Sequence, residues 1–260
     1  MSVLFERHGS TAVLTLASPA TRNAFSPQIR QGLADGIAQA RADEAIRALV
    51  ITGSGGVFCA GGDIRGMAGA LADNDGAAWR SRMHGTQRWM AELLALDKPV
   101  IAAVDGLAFG AGFSVALAAD FVLATPQARF CLSFMKLGLV PDCGAFFTLP
   151  RVVGAQRAKE LMLSAREVGA QEALQLGIAM ELHEAAALLP RALALAASFE
   201  GASPLAVSLI KRAMANPGEL AASLDGEANA QALAFGSGYT RDAVERFLTK
   251  QAPAFAWPKE

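Results

Sequence analysis

Three short, almost wholly apolar runs constrain the fold more than any other feature of the chain: residues 48–52 (ALVIT), 99–104 (PVIAAV) and 121–124 (FVLA). Each is too short for a helix and is bounded by charged, Gly or Pro residues, so each reads as a buried strand. Between and around them the apolar period changes to that of a helix. Pro27 opens a stretch to about residue 42 with Ile29, Leu33, Ile37 and Ala40 on one face. A further helix ends near residue 96, just before the strand at 99–104. Residues 3–7 and 11–17 read as a strand pair joined by His8-Gly9-Ser10. Strands alternating with helices predict an α/β core.

Residues 71–78 (LADNDGAA) read as a mobile loop. After Gly154 the pattern is nearly all helical, over 155–164, 170–176, 185–199, 204–215, 218–235 and 240–249, with 178–182 as a candidate late strand. Glu200-Gly201-Ala202-Ser203-Pro204 marks a boundary, giving a core over 1–200 and a helical segment over 201–260. No internal repeat is visible.

The chain has 260 residues, 53% of them hydrophobic, which suits one large domain with an appendage. Its net charge of −1 implies no general attraction to nucleic acid or an anionic membrane. The longest apolar run, around 106–119, is too short and too rich in glycine to span a bilayer. The opening MSVLFERHGS has no signal pattern. Cys59, Cys131 and Cys143 lack metal-type spacing and read as reduced thiols of a cytoplasmic protein.

Two glycine-rich turns follow strands, CAGGD at 59–63 and GLAFGAG at 106–112. Lacking side chains, such turns bring backbone N–H groups close to an oxygen. The plain alternative is a tight strand-to-helix turn, with Asp63 a helix N-cap. A dinucleotide fingerprint wants an acid at the end of the next strand, whereas Asp120 precedes that strand. Gly112-Phe113-Ser114-Val115-Ala116 nearly spells a nucleophile elbow, but the histidine downstream of it is His183, in a charged ELHEA context. Residues 130–154 then place one carboxylate, Asp142, in an apolar loop broken by Gly and Pro. Phe134, Leu139, Val140, Phe146 and Phe147 would desolvate it and tune it for proton transfer near neutral pH. Its alternative role is a turn or N-cap in Pro141-Asp142-Cys143-Gly144.

In this order and at these spacings, GGVFCAGGDI, DGLAFGAGFSVALAADFVLAT and KLGLVPDCG followed by LPRVVG resemble the crotonase (enoyl-CoA hydratase/isomerase) superfamily over about residues 3–255. The likeness is strongest to the isomerase branch, which includes epoxyphenylacetyl-CoA isomerases. It implies a spiral of ββα units with a C-terminal helical trimerisation module, assembled as a trimer or a hexamer of two trimers. It also implies an acyl-CoA substrate, with no metal and no cofactor beyond the CoA thioester itself. By resemblance the N–H groups of Gly62 and Ala111 hold the thioester oxygen, with Gly110 and Gly112 permitting the approach, and Asp142 is the acid/base. Arg22, Ala24, Cys59, Ala60, Gly61, Asp63 and Ile64 would meet CoA, and Phe134 and Leu139 the acyl group. Phe247 and Lys250 would touch CoA on a neighbouring subunit.

The two glutamates that hold water in family hydratases match Ser114 and Phe134. The expectation is therefore isomerisation, of a 3-enoyl-CoA to a 2-enoyl-CoA or of a ring-epoxide acyl-CoA. A weak hydratase, a nucleophilic use of Asp142 and a non-catalytic CoA-binding protein are the rivals. Relatives often carry Gly-Gly-Thr after the acid. The run Gly144-Ala145-Phe146-Phe147 departs from this and implies a reshaped pocket.

Overall fold

A computed structural model describes residues 2–72 and 76–258. In chain order the strands are β1 (Val3–His8), β2 (Thr11–Leu16), β3 (Ala48–Gly53), β4 (Val100–Val104), β5 (Leu107–Phe109), β6 (Phe121–Ala124), β7 (Arg129–Cys131), β8 (Val168–Gly169) and β9 (Glu181–Leu182). The helices of the first half are α1 (Pro27–Ala42), α2 (Ile64–Ala72), α3 (Gly76–Leu94), α4 (Ala111–Leu117) and α5 (Ala145–Val153). Those of the second half are α6 (Ala155–Ser164), α7 (Ala170–Gln175), α8 (Ala185–Ala197), α9 (Pro204–Ala215), α10 (Pro217–Phe235) and α11 (Gly238–Leu248).

The main sheet has the order β1-β2-β3-β4-β6-β9, antiparallel at β1/β2 and parallel thereafter. The three predicted buried strands lie together in its interior, and their continuous apolar character has a simple cause. Alternate side chains point to opposite faces, and both faces are covered. Leu49, Ile51, Val100 and Ala102 pack in the core that holds Ile29, Leu33 and Ile37 of α1, while Val50, Ile101, Ala103 and Leu123 pack with Leu188, Ala192 and Ala196 of α8. Helix α1 begins as predicted, with Pro27 in the first turn and Ser26 accepting a hydrogen bond from the Ile29 N–H at 3.3 Å.

Four features differ from the sequence reading. The second glycine turn contains a strand: β5 pairs with β7, and β7 with β8, in a small separate sheet. Strands of two or three residues carry no readable period. The stretch 71–78 is not a loop where it is described, because residues 71–72 end α2 and 76–78 begin α3; residues 73–75 lie outside the described residues. The late strand shortens to Glu181–Leu182. Within 130–154, residues 133–137 form a short 3-10 helix and α5 follows directly on Gly144.

Helix α10 lies on the core rather than beside it. Trp79 of α3 stacks on Phe235 with ring centroids 3.7 Å apart, and Arg80 Nε donates to Asn229 Oδ1 at 2.7 Å. In α9, Leu205, Leu209, Ile210 and Met214 are exposed along one side of the helix. Among the described residues, no helix is long and apolar enough to cross a membrane, and the three cysteines are free and buried.

The start of α4 is set by a backbone contact. Cys59 and Ala108 form a parallel bridge that draws the two glycine turns together. A Cβ on Gly112 would lie 2.6 Å from Cys59 Cβ and 2.7 Å from Cys59 O. Gly112→Ala is therefore expected to destabilise the protein by about 1–3 kcal/mol. Urea unfolding measures this, and an unchanged midpoint would show that the turns are not packed as described.

Candidate active site

The first glycine turn is strapped in place by the segment before α1. Phe25 N donates to Gly61 O at 2.7 Å and Ala60 N to Arg22 O at 3.0 Å. The buried Asn23 side chain accepts from Ser18 N at 2.8 Å and donates to Ser54 O and Val57 O at 3.0 and 2.7 Å. Arg22 and Asn23 both take left-handed backbone, with φ of 54° and 55°. The side-chain bonds of Asn23 offset that strain, a role the sequence reading did not assign.

The two glycine turns meet backbone to backbone. Gly61 has φ +93°, and a Cβ there would lie 2.9 Å from Phe109 O. A Cβ on Gly110 would lie 3.7 Å from Gly61 Cα and 3.9 Å from Phe134 Cζ. The next residue on each side is a candidate donor. Gly62 is exposed, and among the described residues its N–H makes no hydrogen bond. Ala111 opens α4, whose first bonds run from Phe113 N and Ser114 N to Gly110 O at 3.0 and 3.1 Å, leaving the Ala111 N–H outside the ladder. Two unengaged amides on touching turns can stabilise an oxygen that gains negative charge.

Asp142 sits in a loop that long-range bonds hold in shape. Gln231 of α10 donates from Nε2 to Val140 O at 2.6 Å and to Asp142 Oδ2 at 3.0 Å. One turn earlier, Glu227 accepts from Gly144 N at 2.8 Å and from Phe146 N at 3.0 Å. Asp142 does not cap α5: the N-cap is Gly144, in left-handed backbone, and Glu227 supplies the capping carboxylate. Asp142 Oδ1 is closed off from solvent and has no hydrogen-bond partner. Burial pushes the Asp142 carboxyl up to about 6, against the pull of hydrogen bonds from Cys143 and Gln231 and of the Arg30 charge. Burial also pushes Glu227 up to about 8, although two backbone N–H groups favour its ionised form.

The apolar surround is smaller than the sequence suggested. Phe134 and Leu139 are buried, but Phe146 is 39% exposed, and Phe147 packs with Leu220 and Leu224 under Arg151. Cys59 presents no side chain to a groove, because it is buried with Gly112 against it, and burial raises its thiol to about 12. Asp63 caps α2, accepting from Gly66 N at 3.1 Å, and is half-buried together with Ala60, Ile64 and Ala24. Arg22 is exposed, as are Phe247 and Lys250 at the end of α11. The rival motifs do not assemble. Ser114 Oγ is buried against Gly110 O, His183 pairs with Glu181 at 2.7 Å, and Asp120 binds Val100 N and Lys211. Among the described residues, no group of three or more His, Cys, Asp or Glu side chains could hold a metal ion.

Sequence reasoning missed Glu227, Gln231 and Arg30. For the first two a signal existed: they fall at i and i+4 on the α10 face that carries Leu224, Ala228 and Phe235. Polar residues on a core face need partners.

A family model described as enoyl-CoA hydratase/isomerase matches residues 6–257. The chain is 36% identical over 247 residues to a 1,2-epoxyphenylacetyl-CoA isomerase of Escherichia coli (strain K12), covering 93% of each protein. It is 35% identical to a probable enoyl-CoA hydratase of Rhodobacter capsulatus, covering 98% of this chain and 97% of that one. The crystal structure of an enoyl-CoA hydratase/isomerase from Cupriavidus metallidurans CH34 superposes with a TM-score of 0.79 at 41% identity, covering 100% of this chain and 98% of that one.

The burial of Asp142 has a pH signature. With its folded pKa above the ordinary 3.8, the native state loses stability relative to the unfolded chain as pH rises from about 4 through about 6. Asp142→Asn is expected to be more stable than the parent at pH 8, by up to about 3 kcal/mol, with the gain vanishing at pH 4. Urea unfolding at the two pH values checks this, and a pH-independent difference would contradict the burial.

Proposed function

From the premise that the chain belongs to the enoyl-CoA hydratase/isomerase family, we propose that it isomerises acyl-CoA thioesters, moving the double bond of a 3-enoyl-CoA to the conjugated 2-position. The thioester oxygen sits between the N–H groups of Gly62 and Ala111. Asp142, ionised, removes a proton from the carbon next to the carbonyl. The negative charge spreads over the resulting dienolate and rests on the oxygen held by the two amides. The protonated Asp142 then returns the proton two carbons further along. A carboxyl raised to about 6 is a workable base and a workable acid near neutral pH.

One observation carries this reading. Asp142 presents a dry, unpartnered Oδ1, while the positions of the two water-holding hydratase glutamates hold Ser114 and Phe134. Glu227 does not replace them, because both of its oxygens accept backbone N–H groups. The name of the E. coli relative supports a ring-epoxide acyl-CoA as a second substrate for the same acid and oxyanion site.

CoA runs past Arg22, Ala24, Ala60 and Ile64, and no cofactor beyond the thioester is needed. Residues 201–260 serve as an oligomerisation module, the exposed Leu205, Leu209, Ile210 and Met214 of α9 meeting other subunits in a trimer or hexamer. Phe247 and Lys250 touch a neighbour's CoA.

The test mixes the protein with a 3-enoyl-CoA and follows formation of the conjugated thioester, with 2-enoyl-CoA hydration measured in parallel. The parent is expected to isomerise with little hydration, and Asp142→Asn to lose about 10²–10⁴-fold in kcat. Vigorous hydration, or isomerisation indifferent to Asp142→Asn, would overturn the mechanism.

A further inference from the structure

Glu227 is a fully buried acid that the proposed proton transfer does not use. It reaches from α10 to the start of α5 and accepts from Gly144 N at 2.8 Å and from Phe146 N at 3.0 Å, one N–H on each oxygen. Gln87, buried on α3, donates to the same carboxyl and to Leu224 O. The start of α5 is thus served by a side chain 83 positions away, although another carboxylate stands only two positions before Gly144.

That nearer carboxylate is Asp142. Asp and Asn side chains ordinarily fold back onto the N–H two residues further on, and the N-cap Gly144 has no side chain to compete for it. Asp142 makes no such bond. Its Oδ2 accepts from Gln231 Nε2 at 3.0 Å, and its Oδ1 has no partner. Capture by α5 would disable it as a base. A carboxylate that accepts two or three backbone N–H groups is held far below the ordinary range, and the N-terminus of a helix favours its charge further. Such a carboxylate is ionised but accepts a proton poorly, and its oxygens face main chain instead of substrate.

We propose that Glu227 is a positioning residue for the proton transfer: by occupying the N–H groups of Gly144 and Phe146, it keeps Asp142 from folding onto the start of α5 and leaves Oδ1 free to meet the substrate. The inference rests on the acyl-CoA isomerase reading above. The two polar residues of α10 divide the task. Gln231 holds one oxygen of Asp142, and Glu227 removes the nearest rival partners of the other. The groups that act on the two carboxyls are Arg30 of α1, Cys143 of the loop and each other. Arg80 and His84 of α3 turn to Asp225, and Arg151 of α5 to Glu219.

The experiment measures kcat and KM for 3-hexenoyl-CoA from about pH 5 to 9 in the parent, Glu227→Met, Glu227→Asp and Glu227→Gln. Met removes the charge and the acceptor. Asp keeps the charge but is too short to span both N–H groups, and Gln loses the charge but keeps an oxygen at full reach. Glu227→Met is expected to lose at least about tenfold in kcat at pH 8 with KM within about twofold, its acid limb moving down by about one pH unit. Glu227→Asp is expected to follow it part of the way and Glu227→Gln to move least. An effect of charge alone would move Met and Gln equally and leave Asp in place. That order, or a limb unmoved in every variant, overturns the proposal. Should Glu227→Met not fold, the order of Asp and Gln still decides. Urea unfolding at pH 8 gives a readout without substrate. The stability that Asp142→Asn adds to the parent is expected to vanish in the Met background and to shrink in the Asp background, where Asp142 has become the cap. An equal gain in all backgrounds overturns the proposal. A parent that turns nothing over removes the isomerase reading, while the unfolding comparison still upholds or overturns the capture.

Discussion

The closeness of two backbones governs this molecule. The carbonyl of Phe109 occupies the space that a side chain on residue 61 would need, and Cys59 occupies the space that a side chain on residue 112 would need. Only glycine satisfies both places, and Gly61 and Gly110 further take left-handed backbone that disfavours other residues. The contact joins the turn after β3 to the turn after β4, so the parallel order of the main sheet fixes where the two unengaged amides fall. In the proposed chemistry the stabilising donors belong to the main chain and need no side chain to be held in place.

The acid is handled differently. Its loop carries left-handed backbone at Gly138, Cys143 and Gly144, with φ of 68°, 57° and 80°, and its shape depends on distant partners. Gln231 and Glu227 bind it from α10, and Thr240 Oγ1 donates to Gly138 O at 3.2 Å. The C-terminal helices therefore build the site as well as carrying an exposed apolar face. A hydrogen bond to a charged group contributes about 1.5–3 kcal/mol, and Asp142 accepts one from Gln231, yet its carboxyl still lies above the ordinary range. Desolvation outweighs the hydrogen bonds and the Arg30 charge together. That balance leaves the carboxyl able to change state near neutral pH.

Features that rest on local pattern were legible in the sequence. Helix α9 spans the residues its Ser203-Pro204 start and apolar content indicated, and the buried strands announced themselves by lacking alternation. The glycine turns and Asp142 stood out by composition, and the family resemblance agreed with them. What escaped depended on distant residues. Helix α5 receives its cap from a side chain 83 positions away, so no local signal marked its start. Strands β5, β7 and β8 exist only because other segments lie beside them.

The central claim is that one carboxylate, raised by desolvation against hydrogen bonds from Cys143 and Gln231 and the charge of Arg30, moves the proton. The pH dependence of kcat/KM for 3-enoyl-CoA isomerisation tests it, measured for the parent and for Gln231→Leu. The account predicts an acid limb in the parent that falls about tenfold per pH unit below about 6. It also predicts that the limb moves to higher pH in Gln231→Leu, because the donor that favours the ionised carboxylate is gone. A flat profile between pH 5 and 8, or a limb that stays in place in Gln231→Leu, would contradict it.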